Sequence, residues 1–272
     1  MPDVSDLLPM VALALVLGGF AGVIGGLLGV GGGIVLVPAF LYMFTTLGYG
    51  GDQLMQICVA TSLATIVVTS IRSVLAHHKK GAVDWSVLRH WAPFLVIGAG
   101  LGVVAASRLP SAALQAVFGV VAGVVAVWMA FGRDDWRFGQ AMPGQPTRGL
   151  MGTAVGFLSA MMGIGGGSFG VPIMTLYGMP IHRAVATAAG FGVLIAVPSV
   201  IGFLFVPVAN APPWTVGAIS IPAFLVVIGT TLATTPLGVR LAHAMNPKPL
   251  KRAFAVFLAL VALNMLRKVA GW

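Results

Sequence analysis

A glycine-rich sequence that occurs twice is the feature of this chain best suited to chemistry. It reads Gly29-Val30-Gly31-Gly32-Gly33 in the first copy and Gly163-Ile164-Gly165-Gly166-Gly167 in the second, and the same spacing leads from each to a Val-Pro pair. Consecutive glycines interrupt a helix, because glycine is the poorest interior helix residue after proline. A helix that restarts after the break offers free N–H groups and the positive end of its dipole, which attract anions. The two copies therefore predict an oxyanion site in one polar cavity that both breaks face.

Hydroxyl side chains near these glycines could add hydrogen-bond donors to the same site. The predicted anion-binding set is Gly31, Gly32, Gly33, Thr61, Ser62, Gly165, Gly166, Gly167, Ser168 and Thr187. The alternative interpretation is structural: the glycines only permit close helix crossing, and the hydroxyls bond back to their own helices. Arg72 and Arg183 flank the helices that carry the threonines. They either draw anions toward a cytoplasmic mouth or anchor the chain at the membrane surface.

Residue sets suited to catalysis, cofactor binding or metal binding are missing from the sequence. The chain has no Glu, and its six acidic residues fall at predicted helix ends or in loops, so a carboxylate ion pathway has no carrier. Cys58 is the single cysteine, which leaves no thiolate metal site. Residues 165–170 read Gly-x-Gly-x-x-Gly, but the strand and the acidic residue of a dinucleotide site are absent. We therefore predict no enzyme, no cofactor and no metal.

The composition places the chain in a membrane. It is 58% hydrophobic and 8% charged, whereas a soluble domain carries about 25% charged residues. The apolar runs are continuous, which favours helices over a transmembrane barrel. The net charge of +9 comes from short Lys and Arg clusters between apolar runs, as membrane orientation requires, and this argues against nucleic-acid binding. An all-α polytopic membrane protein is the predicted fold class.

The apolar sequence divides into segments that do not all have the length of a membrane span. The ten segments are roughly 7–28, 33–47, 53–76, 87–106, 111–131, 148–163, 167–178, 181–206, 215–239 and 249–269. A span needs about 20 residues, so the second, sixth and seventh are too short to cross unaided. We expect them to be parts of broken helix pairs at the glycines.

The two halves match in order beyond the glycines. Val59-Ala60-Thr61 matches Val185-Ala186-Thr187, and we also pair Trp85 with Trp214 and Gly98 with Gly229. The collinear set predicts a duplication with a first transmembrane repeat over 7–131, a cytoplasmic linker over 132–147 and a second repeat over 148–270. Each repeat would hold a broken-helix hairpin and three transmembrane helices.

The distribution of positive charge predicts the orientation. If each broken pair is a hairpin that returns to its own side, most Lys and Arg residues lie on one side of the membrane, as the positive-inside rule requires. Both termini then lie outside, and the second repeat is inverted, as in many secondary transporters. His77, His78 and His182 fall at cytoplasmic helix ends, where they either relay protons or serve as interfacial polar residues. Asp3 and Asp6, with no Lys or Arg before the first apolar run, argue against a cleavable signal peptide.

The repeated motif resembles a known family. The duplicated Gly-x-Gly-Gly-Gly with its Val-Pro, Ala60-Thr61-Ser62, Ala186-Thr187 and the stretch 78–84 resemble the TauE/SafE sulfite exporter family, also called the toluene sulfonate uptake permease family. The resemblance implies a multi-pass transporter of the bacterial inner membrane that carries sulfite, sulfoacetate or related organosulfonates. Ala188 stands where the first repeat has Ser62, so the two half-sites are expected to contribute unequally.

The expected function is export of a small sulfur-containing anion. A negative-inside potential favours anion efflux by about 2.3 kcal/mol per charge per 100 mV, so export needs no coupling ion. Two alternatives stay open: an uptake permease for organosulfonates, and a membrane scaffold or receptor that transports nothing. The expected partners are the anion and membrane lipid, without nucleic acid, and a homo-oligomer is compatible with the sequence.

Overall fold

The computed structural model describes residues 4–29, 31–132, 137–244 and 247–270. These residues form ten helices and one two-stranded hairpin. The elements are α1 (Val4–Leu28), α2 (Gly33–Thr46), α3 (Leu54–His78), α4 (Trp85–Arg108), α5 (Ser111–Phe131), α6 (Thr147–Met162), α7 (Gly167–Leu176), α8 (Ile181–Leu204), β1 (Thr215–Val216), β2 (Ile219–Ser220), α9 (Ile221–Ala244) and α10 (Pro247–Val269). The predicted linker starts after α5, and its residues 133–136 lie outside the described residues.

The chain is an all-α polytopic membrane protein. Within the described ranges, six helices are long and apolar enough to cross a membrane: α1, α3, α4, α5, α8 and α9. The three segments predicted to be too short are short, with 14 residues in α2, 16 in α6 and 10 in α7. The first broken pair is uneven, because α1 has 25 residues and could cross by itself.

Helices from one half of the chain pack against helices from the other half. Helix α1 packs along α9, and its counterpart α6 packs along α4. Helices α3 and α8 contact each other at the centre, and α5 contacts α10. Each contact maps onto another, or onto itself, when α1–α5 are exchanged with α6–α10, as a duplication predicts. The bounds of the two repeats and their sidedness in the membrane stay predictions.

Glycines allow helices from the two halves to pack closely. A Cβ atom added to Gly238 of α9 would collide with the carbonyl oxygen of Val23 in α1. At the equivalent crossing, a Cβ added to Gly102 of α4 would lie 2.5 Å from the carbonyl oxygen of Phe157 in α6. Glycine at such crossings lets two backbones approach, which is how membrane helices gain packing energy without a hydrophobic driving force.

The pairing of Gly98 with Gly229 is wrong. Gly98 lies against the carbonyl oxygen of Thr153 in α6, whereas a Cβ added to Gly229 would meet open space. Thr234 takes the place equivalent to Gly98, because its hydroxyl donates to the carbonyl oxygen of Gly19 at 2.8 Å. Gly19 and Thr153 are themselves equivalent by the spacing of the two glycine copies.

A short β-hairpin explains both this error and a misplaced helix boundary. The predicted segment 215–239 is wrong at its start, because β1 and β2 precede α9, which spans Ile221–Ala244. The hairpin turns at Gly217, whose φ of 57° favours glycine. Trp214 precedes the hairpin, whereas Trp85 begins α4, so these two tryptophans are not equivalent either.

Candidate functional site

The first glycine cluster ends α1 and starts α2. Helix α1 stops at Leu28 and α2 begins at Gly33, so the predicted helix break is confirmed. Gly29, Gly31 and Gly32 have φ values of 68°, 73° and 78°. This left-handed backbone is one that only glycine adopts without a steric cost. The glycines therefore cause the break through the backbone conformations that they allow. Val30 lies outside the described residues.

The second cluster also breaks a helix, but with a different local structure. Helix α6 ends at Met162 in a Schellman motif around Gly163, which has φ of 68°. The amide of Ile164 donates to the carbonyl of Ser159 at 3.0 Å, and the amide of Gly163 donates to the carbonyl of Ala160 at 3.3 Å. Helix α7 then begins at Gly167, where the predicted segment 167–178 starts.

The two breaks meet in packed contact at the centre of the molecule. A Cβ added to Gly33 would collide with the carbonyl oxygen of Gly163. That carbonyl also accepts a hydrogen bond of 2.7 Å from the hydroxyl of Ser62 in α3. The convergence of the two breaks is thus confirmed, but protein atoms occupy the contact where we predicted a shared polar cavity.

Each break also packs on the central helix of the opposite repeat. Gly163 lies against Val59 of α3, and a Cβ added to Gly29 would lie 2.5 Å from the carbonyl oxygen of Val185 in α8. The Cβ of Ala188 is 3.5 Å from the same position. Because Ala188 replaces Ser62 in the second repeat, the hydrogen bond that joins α3 to one break has no counterpart at the other.

The start of α7 carries a buried hydroxyl that the protein leaves unused. The N-cap residues of α2 and α7, Gly32 and Gly166, make no side-chain capping bond. The first amides of a helix have no partner inside it. Ser168, in the first turn of α7, is 8% exposed, and its Oγ has no hydrogen-bond partner among the residues described. A buried hydroxyl without a partner is costly, so this position indicates a site for a ligand that accepts hydrogen bonds.

Helix α3 supplies a polar stripe that sequence analysis did not recognise as a unit. Its members are spaced by four residues and are all buried: Thr61, Thr65, Thr69, Ser73 and His77. The hydroxyl of Thr69 lies 3.4 Å from the carbonyl oxygen of Gly31, and the hydroxyl of Ser70 lies beside Gly31 without a partner among the described residues. The signal was the recurrence of Ser and Thr every fourth position in an apolar helix.

The second central helix has no such stripe. Phe191 and Ile195 of α8 lie against the second break, where their side chains would meet a Cβ added to Gly166 at 3.2 Å and 2.6 Å. The polar side chains near the breaks therefore come from α3, from Ser168 of α7 and from Ser159 of α6, whose buried hydroxyl also has no partner among the described residues. The two half-sites were predicted to contribute unequally, and the central helices α3 and α8 differ in polarity in the same way.

Thr61 and Thr187 are placed symmetrically, with their oxygens used by the protein. The hydroxyl of Thr187 accepts a bond of 2.9 Å from the amide of Asp84, at the start of α4. The hydroxyl of Thr61 accepts a bond of 3.0 Å from the amide of Ser220, at the start of α9. Each threonine thus fastens a central helix to the opposite repeat. Their role as anion donors stays a prediction.

The two arginines differ in their surroundings. The Nη2 of Arg183 lies 3.1 Å from the Oδ2 of Asp84, and the Oδ1 of that carboxylate accepts from the amides of Ser86 and Val87 to cap α4. The charge of Arg183 is therefore partly neutralised. Arg72 is exposed on α3. For both residues, a role in drawing anions to the site stays a prediction.

Histidines from three helices converge at the end of the polar stripe. The Nδ1 of His77 lies 3.1 Å from the Nε2 of His243 in α9, and the ring of His243 stacks on His182 of α8 with centroids 6.0 Å apart. His78 instead accepts a hydrogen bond from the indole of Trp85 at 3.2 Å. His243 was missed because the sequence does not show which helix ends meet. Within the described ranges, no group of His, Cys, Asp or Glu is placed to hold a metal ion.

Comparisons with known proteins find a family and relatives that match nearly the whole chain. The model of the family described as Sulfite exporter TauE/SafE matches residues 14–265. A "Probable membrane transporter protein" of Haemophilus influenzae is 31% identical over 262 residues, which cover 95% of this chain and 98% of that relative. A relative of the same description from Methanocaldococcus jannaschii is 27% identical over 264 residues, 96% of this chain and 97% of its own. No solved structure matches.

Proposed function

This chain belongs to the sulfite exporter TauE/SafE family, and on that premise we propose that it moves sulfite or a small organosulfonate across the bacterial inner membrane. The family and the relatives of this chain identify it as a multi-pass membrane transporter. The family description names the sulfur oxyanion, and the helix breaks supply chemistry that fits such a substrate.

The observation that carries the proposal is the start of α7. Its N-cap glycine makes no side-chain capping bond, its first amides have no partner inside the helix, and the hydroxyl of Ser168 beside them is buried without a partner in the described chain. Together they form a neutral donor set that a sulfonate or sulfite oxygen can satisfy. We place the anion at Gly165–Gly167 and Ser168, against the opposing break at Gly31–Gly33.

The donor set also predicts selectivity by charge. The residues of the proposed contact include no Lys or Arg, and the two candidate arginines lie on exposed positions. Neutral donors compensate the desolvation of one negative charge better than that of two, since the cost of burying charge rises steeply. We therefore propose a preference for bisulfite or a monosulfonate over sulfate.

We propose export as the direction, because the membrane potential favours it by about 2.3 kcal/mol per charge per 100 mV. The packed contact between Gly33 and Gly163 closes the space between the breaks, and the anion would reach the site when that contact opens.

The test is flux in proteoliposomes that contain sulfite, sulfate, thiosulfate or a monosulfonate, with the potential set by a potassium gradient and an ionophore. The expected result is voltage-driven flux of monovalent sulfur anions, with sulfate slower at equal concentration. Accumulation of an organosulfonate against the potential would assign uptake instead. A monodisperse protein that carries none of these anions would refute the transport proposal and leave the scaffold interpretation.

A further inference from the structure

The histidine pair at the end of α3 is a hydrogen bond between two imidazole rings, each of which can gain or lose a proton. The side chain of His77 is fully buried, and its Nδ1 lies 3.1 Å from the Nε2 of His243. The Nε2 of His77 faces the carbonyl oxygen of Gly26 in α1 at 3.4 Å. Histidine is the side chain whose charge changes between about pH 5 and 8.

The geometry assigns the protons of the neutral pair. The carbonyl oxygen of Gly26 can only accept, so the proton of His77 lies on Nε2 and its Nδ1 is an acceptor. His243 must then donate from its Nε2, which leaves its Nδ1 free to accept. The pair therefore has one vacant position for an added proton.

The three histidines run from the surface to the interior. His182 is exposed, His243 is half-buried and His77 is fully buried. Beyond His77, the α3 stripe continues through Ser73, whose hydroxyl has no partner in the described chain, to Thr69 beside Gly31. A row of titratable and hydroxyl-bearing side chains thus extends from solvent toward the first helix break.

Among the described residues, the charges that act on the pair are positive, and the Asp84 carboxylate is paired with Arg183 rather than with either ring. Lys80, just beyond α3, is the cation whose charge acts on both rings. Helix α8 contributes His182 and, next to it, Arg183, which is paired with Asp84. Helix α1 contributes the Gly26 carbonyl. Nearby positive charge therefore disfavours the protonated pair, so a bound proton can be released again.

We propose that the His77–His243 pair is the proton-coupling site of the transporter, binding and releasing a proton in each transport cycle. An arriving proton adds to Nδ1 of His243. The Nε2 proton of that ring then passes along the 3.1 Å bond to Nδ1 of His77, so His243 becomes neutral and the charge moves to the buried ring. Release of the proton to the opposite side of the membrane completes the cycle, with the proton moving opposite to the anion so that the membrane potential still drives export. The inference rests on the proposed anion transport, to which it adds the coupling ion.

The experiment compares proton and anion movement in proteoliposomes loaded with a pH-sensitive dye. Methanesulfonate is the probe, because a sulfonate stays ionised across the usable pH range and carries no proton itself. The variants are His77→Gln and His243→Gln, since glutamine keeps hydrogen bonding but does not titrate. The matched control is His90→Gln, because His90 is exposed on α4 and its ring bonds only within its own helix turn.

Wild-type protein and His90→Gln are expected to move protons in a fixed ratio to sulfonate. In both other variants, that ratio should fall at least tenfold, while exchange of labelled for unlabelled sulfonate persists. Exchange is the safeguard, because it needs the anion site and a folded protein but no net proton movement.

Three results would overturn the inference. Wild-type sulfonate flux without protons would leave the proposed function intact and remove the coupling. An unchanged ratio in both variants would place the proton elsewhere. Joint loss of net flux and exchange in both variants would assign the histidines a structural role. Absence of all sulfur-anion flux in the wild type would refute the proposed function, and the inference with it.

Discussion

Replacing Ser168 by alanine should move stability and anion affinity in opposite directions. In the unliganded protein, the hydroxyl of Ser168 is buried without a partner in the described chain. Burying such a group costs roughly 1–3 kcal/mol in proteins. Ser168→Ala removes that cost, so the unliganded variant should be as stable as the wild type or more stable, by up to that amount.

With the anion bound, the same hydroxyl donates to a charged group in the proposed site. A hydrogen bond to a charged partner contributes about 1.5–3 kcal/mol, so Ser168→Ala should weaken anion binding roughly 10- to 150-fold. A hydroxyl that serves only packing would change both quantities in the same direction or neither. The opposite signs are therefore the mark of a ligand contact.

The assay is thermal unfolding of the purified protein across a concentration series of sulfite or methanesulfonate, since ligand stabilisation grows as RT ln(1 + [L]/Kd). The matched control is Ser199→Ala, because Ser199 is also buried but already donates to the carbonyl of Ile195 at 2.7 Å. Wild-type affinity in a folded Ser168→Ala variant would refute the placement of the anion at α7.

Gly32→Ala should lower the free energy of unfolding by more than Gly166→Ala in denaturation assays. Of these two glycines, Gly32 has a left-handed backbone, with φ of 78°, and that conformation costs alanine about 1–2 kcal/mol. Equal losses would contradict this. Ser62→Ala should cost about 0.6–1.7 kcal/mol, the range for interhelical bonds in membranes, because Gly163 loses its hydroxyl donor; an unchanged midpoint would argue against the bond. An impermeant thiol reagent should label Gly144→Cys only from the cytoplasm; labelling from outside would reverse the orientation.

The helix breaks were predictable because their cause is local. Three glycines in an apolar run cannot sustain a helix, and the left-handed conformations of Gly31 and Gly32 are those that glycine allows at low cost. The order of helices followed from the apolar segments for the same reason. The correct starts of α2 and α7 needed no knowledge of distant residues.

The β-hairpin before α9 was not predictable from the apolar pattern. Val216 and Ile219 suit a short strand and a membrane helix equally well, and a two-residue strand is too brief to show alternation. The residues of the site that were missed have a different cause. Ser70 and His243 matter through the helices they meet, and the sequence alone does not show that the ends of α3 and α9 meet the start of α8.

The exchanged packing of α1 and α9 sets an order of events during synthesis. The glycine-rich face of α1 finds its partner only after roughly 200 further residues have been made, which takes ~10–40 s at about 5–20 residues per second. For the greater part of that time, neither Gly163 nor Val185 of α8 has yet been made to pack beside the first break. Open backbone at membrane depth is tolerated only inside protein or water. The nascent first half therefore needs shelter in the insertion machinery, and a chain truncated after α5 should be degraded rather than accumulate as a half-transporter.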